Sequence, residues 1–291
     1  GKIYVKLAPS GQVGAGGALA RNVQKATIQA GQCSISNFSP FVPEVDLINI
    51  PYWCSENQKF VNLVTSDLWQ KEIHPKIEAR GFKPLWYPCI DPRTTALGKG
   101  FKEPIKTPGQ LRGIKFRIPN SNMLLQLYRH LGANPTPVEW VEASSALRRG
   151  YVDALDPAVG ALYVFGFKNL LSHITYTDIV HDAQIYFCNL EWFLQLPQPF
   201  RASIEFASEM TMRQNHAKVP AARAHAEMQM ASAGVKLHRL SPDEKAQWMQ
   251  KVGAQLDIWN DVKKQLAGSL SQFDKLKEAA DTPGNYYVPE R

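Results

Sequence analysis

Short apolar runs alternate along this chain with longer periodic segments, and Gly and Pro mark the boundaries between them. That rhythm predicts an α/β protein. Ile3-Tyr4-Val5-Lys6-Leu7 reads as a first strand, followed by the glycine turn Ser10-Gly11-Gln12-Val13-Gly14, a helix over about 17–30 and a short strand at Cys33-Ser34-Ile35-Ser36. Phe60, Leu63, Val64 and Leu68 recur at steps of three and four, which predicts one apolar helical face within 56–79. Strands are expected at 82–87 and 113–119, the second stopped by Pro119. Met123, Leu127 and Leu131 mark the next helix, closed by Gly132. A helix over 141–150, a short strand at 152–155, an apolar helix over about 160–171 and a strand at 185–190 complete the alternation. From about Ser203 to Ala280 the pattern turns helical, with breaks at Gly234 and at Ser241-Pro242, where Ser241 is placed to cap a helix.

At 291 residues the chain is long enough for one large domain or two ordinary ones. No apolar run approaches the roughly 18 residues a membrane span needs. Lys and Arg exceed Asp and Glu by 33 to 26, so the balance favours anionic partners. The basic residues are scattered among acids, with none of the clustering that marks a nucleic-acid surface, and a small anion fits better. Cys33, Cys54, Cys89 and Cys188 stand far apart and exclude a zinc knuckle. They read as buried free thiols, with a disulfide open to an exported protein. The N-terminal residues read as neither a signal peptide nor a transit sequence and begin in strand-like material, as expected of a mature exported chain or of one that begins late.

Enzyme signatures are missing. Gly11, Gly14, Gly16 and Gly17 do not have dinucleotide-fingerprint spacing, and no P-loop, nucleophile elbow or calcium loop occurs. His173 and His181, near Asp178 and Asp182, are expected to be structural. No catalytic residue, metal or cofactor is predicted. Arg117 stands apart, because it interrupts an apolar strand between Phe116 and Ile118. A guanidinium there requires an anion, either a protein acid or a ligand carboxylate that matches its planar fork.

Several motifs then fall in one order: Pro9-Ser10-Gly11-Gln12-Val13-Gly14, Phe41-Val42-Pro43-Glu44, Ile50-Pro51-Tyr52, the run 105–119 ending in Lys115-Phe116-Arg117-Ile118-Pro119, and Gly132-Ala133-Asn134-Pro135-Thr136-Pro137. Glu142 through Leu147, Gly150, Val152-Asp153, Ala233-Gly234-Val235 and Leu240-Ser241-Pro242 continue it. Together they resemble the extracytoplasmic solute-binding proteins of TRAP transporters, over almost the whole chain.

The resemblance implies a two-lobed, type II-like periplasmic binding protein with hinge strands and long C-terminal helices. It would close around one organic acid and hand it to a membrane permease. It implies lobe I in 1–116 plus about 206–240, lobe II in 117–205, and C-terminal helices in 241–291 packing across both. An N-terminal strand and helix are expected before Gly1, and their loss would leave an unpaired sheet edge. Arg117 matches the family arginine that grips the ligand carboxylate, and Arg93 matches a second arginine that many members use, in a segment to Pro104 that is a few residues longer than usual. Asn37 and Ser39 are cleft candidates or ordinary turn residues, and Trp140 is a ligand wall or core. Asp156 falls at an acidic or amide position, Pro157 departs from an expected Asn, and Trp53 and Gln184 complete the candidate set. The ligand the resemblance implies is a mono- or dicarboxylate. Two other readings stand beside this one: an α/β enzyme using His181, Asp156 and Cys188, and a binding protein serving an ABC transporter or sensor.

Overall fold

The computed structural model describes residues 3–289. The first helix, α1 (Gly16–Gln24), leads into β1 (Ala30–Ser34), and α2 (Ile35–Phe38) follows at once because Ser34 Oγ accepts the Asn37 N–H and caps it. The predicted helix over 56–79 is three: α3 (Asn57–Thr65), α4 (Asp67–Glu72) and α5 (His74–Glu78). Ser66 breaks the first from the second by accepting the Trp69 N–H, and Pro75 in the first turn of α5 marks the second break. Next come β2 (Phe82–Trp86), β3 (Thr95–Gly98), β4 (Lys115–Ile118), α6 (Asn122–His130), β5 (Asn134–Pro137) and α7 (Trp140–Arg148). The chain continues through β6 (Ala154–Leu155), α8 (Val159–Val164), β7 (Leu171–Tyr176), β8 (Gln184–Asn189), α9 (Leu190–Gln195) and the 35-residue α10 (Gln198–Ser232). After β9 (Lys236–Arg239), α11 (Pro242–Val252) begins with the capping box expected at Ser241, closed by Glu244. The helices α12 (Asn260–Ala267) and α13 (Leu270–Asp281) end the fold. Among the described residues no helix is long and apolar enough to cross a membrane.

These strands form two sheets, one per lobe. The smaller has the order β1-β8-β2, antiparallel throughout, and the larger has the order β5-β4-β6-β3-β7-β9. In the larger sheet β4 runs parallel to both β5 and β6. The two prolines of β5 are tolerated because that strand lies at the sheet edge. Sheet membership differs from the expected division of the chain. β3 and β9 stand in the larger sheet with β4, whereas β8 is the central strand of the smaller one. The chain therefore passes between the sheets in two short segments, near 87–94 and 177–183, and a third time along α10, between β8 and β9.

Those two crossing segments hold each other. Arg93 N–H donates to Val180 O at 2.8 Å, Asp182 N–H to Asp91 O at 3.0 Å, and Pro92 bridges His181. Long helix α10 is fastened to the first segment at two points. Asn215 exchanges hydrogen bonds with the backbone N–H and C=O of Cys89, and two turns later Arg223 pairs with Asp91.

The expected first strand does not form. Residues 3–9 make no ladder, and Tyr4, Val5 and Leu7 are exposed. Alternation alone does not hold a strand that has no neighbour to pair with. All four cysteines are free and buried, and burial pushes each thiol's pKa up. One further finding concerns Trp53: it is a core residue, its indole N–H donating to Leu47 O and its ring packed 4.9 Å from Phe273.

Candidate ligand-binding site

The site is built at the carboxyl ends of three parallel strands, where open α/β sheets present loops to a crevice. Arg117 lies opposite Thr136 of β5 and Leu155 of β6. Val138, two residues outward on one side, and Asp156, one residue outward on the other, therefore flank its guanidinium. Arg117 Nε and Nη2 both donate to Val138 O, at 2.9 and 2.7 Å. That uses one side of the fork and leaves the end-on pair of N–H groups, on Nη1 and Nη2, for another acceptor. Arg117 is 2% exposed and, among the described residues, pairs with no protein acid. Its guanidinium carbon sits 5.3 Å from the centre of the Trp140 ring. Burial lowers its pKa to about 10, so it stays cationic at neutral pH.

Arg93 is placed differently. Its Nη1 donates to Asp156 Oδ1 at 3.0 Å and its Nη2 lies 2.9 Å from Asp182 Oδ1, all three side chains being buried. Burial works against its charge, but Asp156 and then Asp182 outweigh that and raise its pKa. Asp156 Oδ2 also accepts from the Tyr128 hydroxyl at 3.4 Å. The first arginine is thus open to a guest, while the second is held between two acids inside the hinge. Asp156 serves this network.

From the other lobe, Asn37 on α2 reaches across the crevice, its Oδ1 accepting the Asn120 N–H at 3.2 Å. Gly16, at the start of α1, has a positive φ of 51°, and its bare Cα is crowded from both lobes: a Cβ there would lie 2.6 Å from Glu139 Oε2 and 3.0 Å from Asn37 Nδ2. Trp140 sits half-buried on the second lobe's core, stacked 5.2 Å from Phe167. Ser39 is buried and donates to Ser36 O, the ordinary turn bond. Gln184 bonds Gln32 and Asp182 at the near edge of the smaller sheet. The structure therefore gathers Arg117, Trp140, Asn37, Arg93 and Asp156, and sets Trp53 apart.

Glu139, Asp182, Tyr128, Asn120 and Gly16 were not legible as site residues. Only Asp182 carried a signal, an acid close after the apolar pair Ile179-Val180. His181 is fully buried, stacked 3.9 Å from Phe60, with Nε2 3.1 Å from Asn57 Oδ1 and 3.6 Å from Cys89 Sγ. Cys188 lies in β8, paired in register with Ala30 and Lys83, so the residues of the enzyme reading do not converge.

A family model described as bacterial extracellular solute-binding protein, family 7, matches residues 1–261. A solute-binding protein of Verminephrobacter eiseniae is 23% identical over 206 residues, 70% of this chain and 60% of the relative. The 2,3-diketo-L-gulonate-binding periplasmic protein YiaO of Escherichia coli K12 is 22% identical over 204 residues, 70% of this chain and 61% of that one. The chain thus spans about 60% of the length of these curated relatives. A TRAP periplasmic solute binding protein of Xanthobacter autotrophicus Py2, solved with β-D-galacturonate, shares the fold with a TM-score of 0.85 at 16% identity, covering 97% of this chain and 90% of that one. A second, from Sulfurospirillum deleyianum with bound succinate, gives 0.83 at 20% identity over 92% and 86%.

Proposed function

The chain belongs to the bacterial extracellular solute-binding proteins of family 7, and from that premise we propose that it is the periplasmic receptor of a TRAP transporter, capturing one organic acid between its lobes and delivering it to a membrane permease. Arg117 is the group that would take the ligand carboxylate. The observation that carries this reading is its end-on fork: buried, aimed from the carboxyl end of β4, and paired with no acid among the described residues. Asn37, Asn120 and Trp140 would complete the enclosure, the first two fastening the lobes and the third forming a flat apolar wall. The relatives support an acid as guest, since galacturonate and succinate are bound in two structures of this fold.

Hydrogen bonds to charged groups contribute about 1.5–3 kcal/mol each, so a two-pronged carboxylate contact accounts for several kcal/mol of affinity. Arg117→Ala is expected to weaken the best acid from a thermal-shift panel a hundredfold or more by calorimetry. Arg117→Lys, which keeps the charge but loses the fork, should lose nearly as much. Unchanged affinity in the alanine variant would overturn the assignment.

A further inference from the structure

We infer that the site is built for a ligand with a single carboxylate and rejects dicarboxylates. This inference rests on the receptor reading and on Arg117 as the carboxylate group. A diacid enclosed in a closed crevice needs a second cationic anchor, and the only other arginine gathered at the site is Arg93. Both of its Nη groups already face acids, Asp156 at 3.0 Å and Asp182 at 2.9 Å, with all three side chains no more than 5% exposed. Its Nε–H has no partner and each Nη keeps a second N–H, so it has hydrogen-bond donors to spare but no surplus charge.

The four buried charged groups at the base of the crevice therefore balance before any guest arrives. Arg93 and Arg117 are matched by Asp156 and Asp182, and both acids lie within electrostatic range of Arg117. One ligand carboxylate leaves this enclosed group at a net of minus one, and a second would leave minus two with nothing to compensate it.

Glu139 adds to that repulsion. It follows Val138, the residue whose carbonyl holds Arg117, and its Oε2 presses on Gly16 of the opposite lobe beside Asn37. Its field is felt at Arg117 and at Cys33 on the far side. No cation of the protein pairs with Glu139 among the described residues. Glu139 thus sets an unpaired carboxylate beside Gly16 and Asn37, within range of Arg117, which suits a hydroxyl, keto or amino group on the guest and opposes a second carboxylate.

Matched acids test this by calorimetry on the purified protein at pH 7: butyrate with succinate, benzoate with terephthalate, and gluconate with glucarate. In every pair that binds, the monoacid is expected to bind at least thirtyfold tighter than the diacid. The monomethyl ester of the diacid, with its bulk but one charge, should return to within a few-fold of the monoacid. Glu139→Gln should tighten the diacid more than the monoacid. A diacid that equals or exceeds its monoacid overturns the inference and leaves the receptor reading standing. An ester rejected as strongly as the diacid overturns it too, because size would then be the cause. If none of the acids binds and Arg117→Ala changes no thermal shift, the receptor reading falls and takes this inference with it.

Discussion

At the residue scale, charge placed where water is absent is what distinguishes the site from the core. Arg117 was legible in the sequence because a cation between Phe116 and Ile118 has no place in a strand without an anion to meet it. Arg93 was reached only through the family resemblance, and its pairing was not legible, since its partners lie 63 and 89 positions along the chain and only the fold brings them near. His181 illustrates the same rule with a neutral outcome. Burial lowers its pKa to about 3, against an ordinary 6.5. Below pH 6.5 the unfolded chain accepts a proton that the folded chain refuses, so the stability present above 6.5 is lost as pH falls toward 3. His74 and His216, each lowered to about 4 by burial, act in the same direction. The expected slope from His181 is at most about 1.4 kcal/mol per pH unit. Urea unfolding at pH 7, 6, 5 and 4 should show it, and His181→Phe, which keeps a ring against Phe60, should flatten the curve. An identical slope in the variant would place the acid sensitivity elsewhere.

At the scale of elements, several helices and strands were read near their places, while the periodic segment 56–79 divides into three helices and the short strands β3 and β9 were not read. α6, α7 and β8 fall within a few residues of where periodicity and punctuation put them. β3, with the sequence Thr95-Ala-Leu-Gly, and β9, with Lys236-Leu-His-Arg, carry four residues each and no clean alternation, and they exist because neighbours in the larger sheet pair with them. The start of α6 shows how a helix end becomes a joint between elements. Ser121 caps it by accepting the Leu124 N–H, while its own hydroxyl donates to Asp46 Oδ1 at 2.8 Å. Asp46 Oδ2 accepts the Met123 N–H, and Asn49 braces the same carboxylate. A buried carboxylate at a helix N-terminus is favoured by the helix dipole and by the free N–H groups. Asp46→Asn is expected to cost about 2 kcal/mol, and Ser121→Ala about 1 kcal/mol, in chemical unfolding. Because the two groups share a bond, the double variant should cost less than the sum.

For the whole molecule, the question is what governs the movement of one lobe against the other. The two crossing segments are hydrogen-bonded to each other, and α10 is fastened to the first of them at Cys89 and at Asp91. Asp91 is 3% exposed and holds a positive φ of 137°, a conformation that persists only where surrounding bonds impose it. Arg223→Met is expected to destabilise the protein by about 3 kcal/mol, since it leaves a buried carboxylate with an amide donor, Asn57 Nδ2, in place of a cation. Asp91→Asn combined with it should recover part of the loss. Small-angle scattering should find the single variant more extended than the parent at equal ligand saturation, and an unchanged radius would separate this contact from closure. Sheet membership was the least legible property of the sequence, because it depends on where two short segments and α10 cross and not on any pattern within them.

The four buried thiols turn this architecture into its own stopwatch. Cys33, Cys54 and Cys188 lie within the first lobe, whereas Cys89 lies on a crossing segment beneath the long helix. A sulfhydryl reagent reaches any of them only when the surrounding structure lets go, so the rate at which each is tagged counts separate events: release of the hinge for one, melting of the interior for the other three.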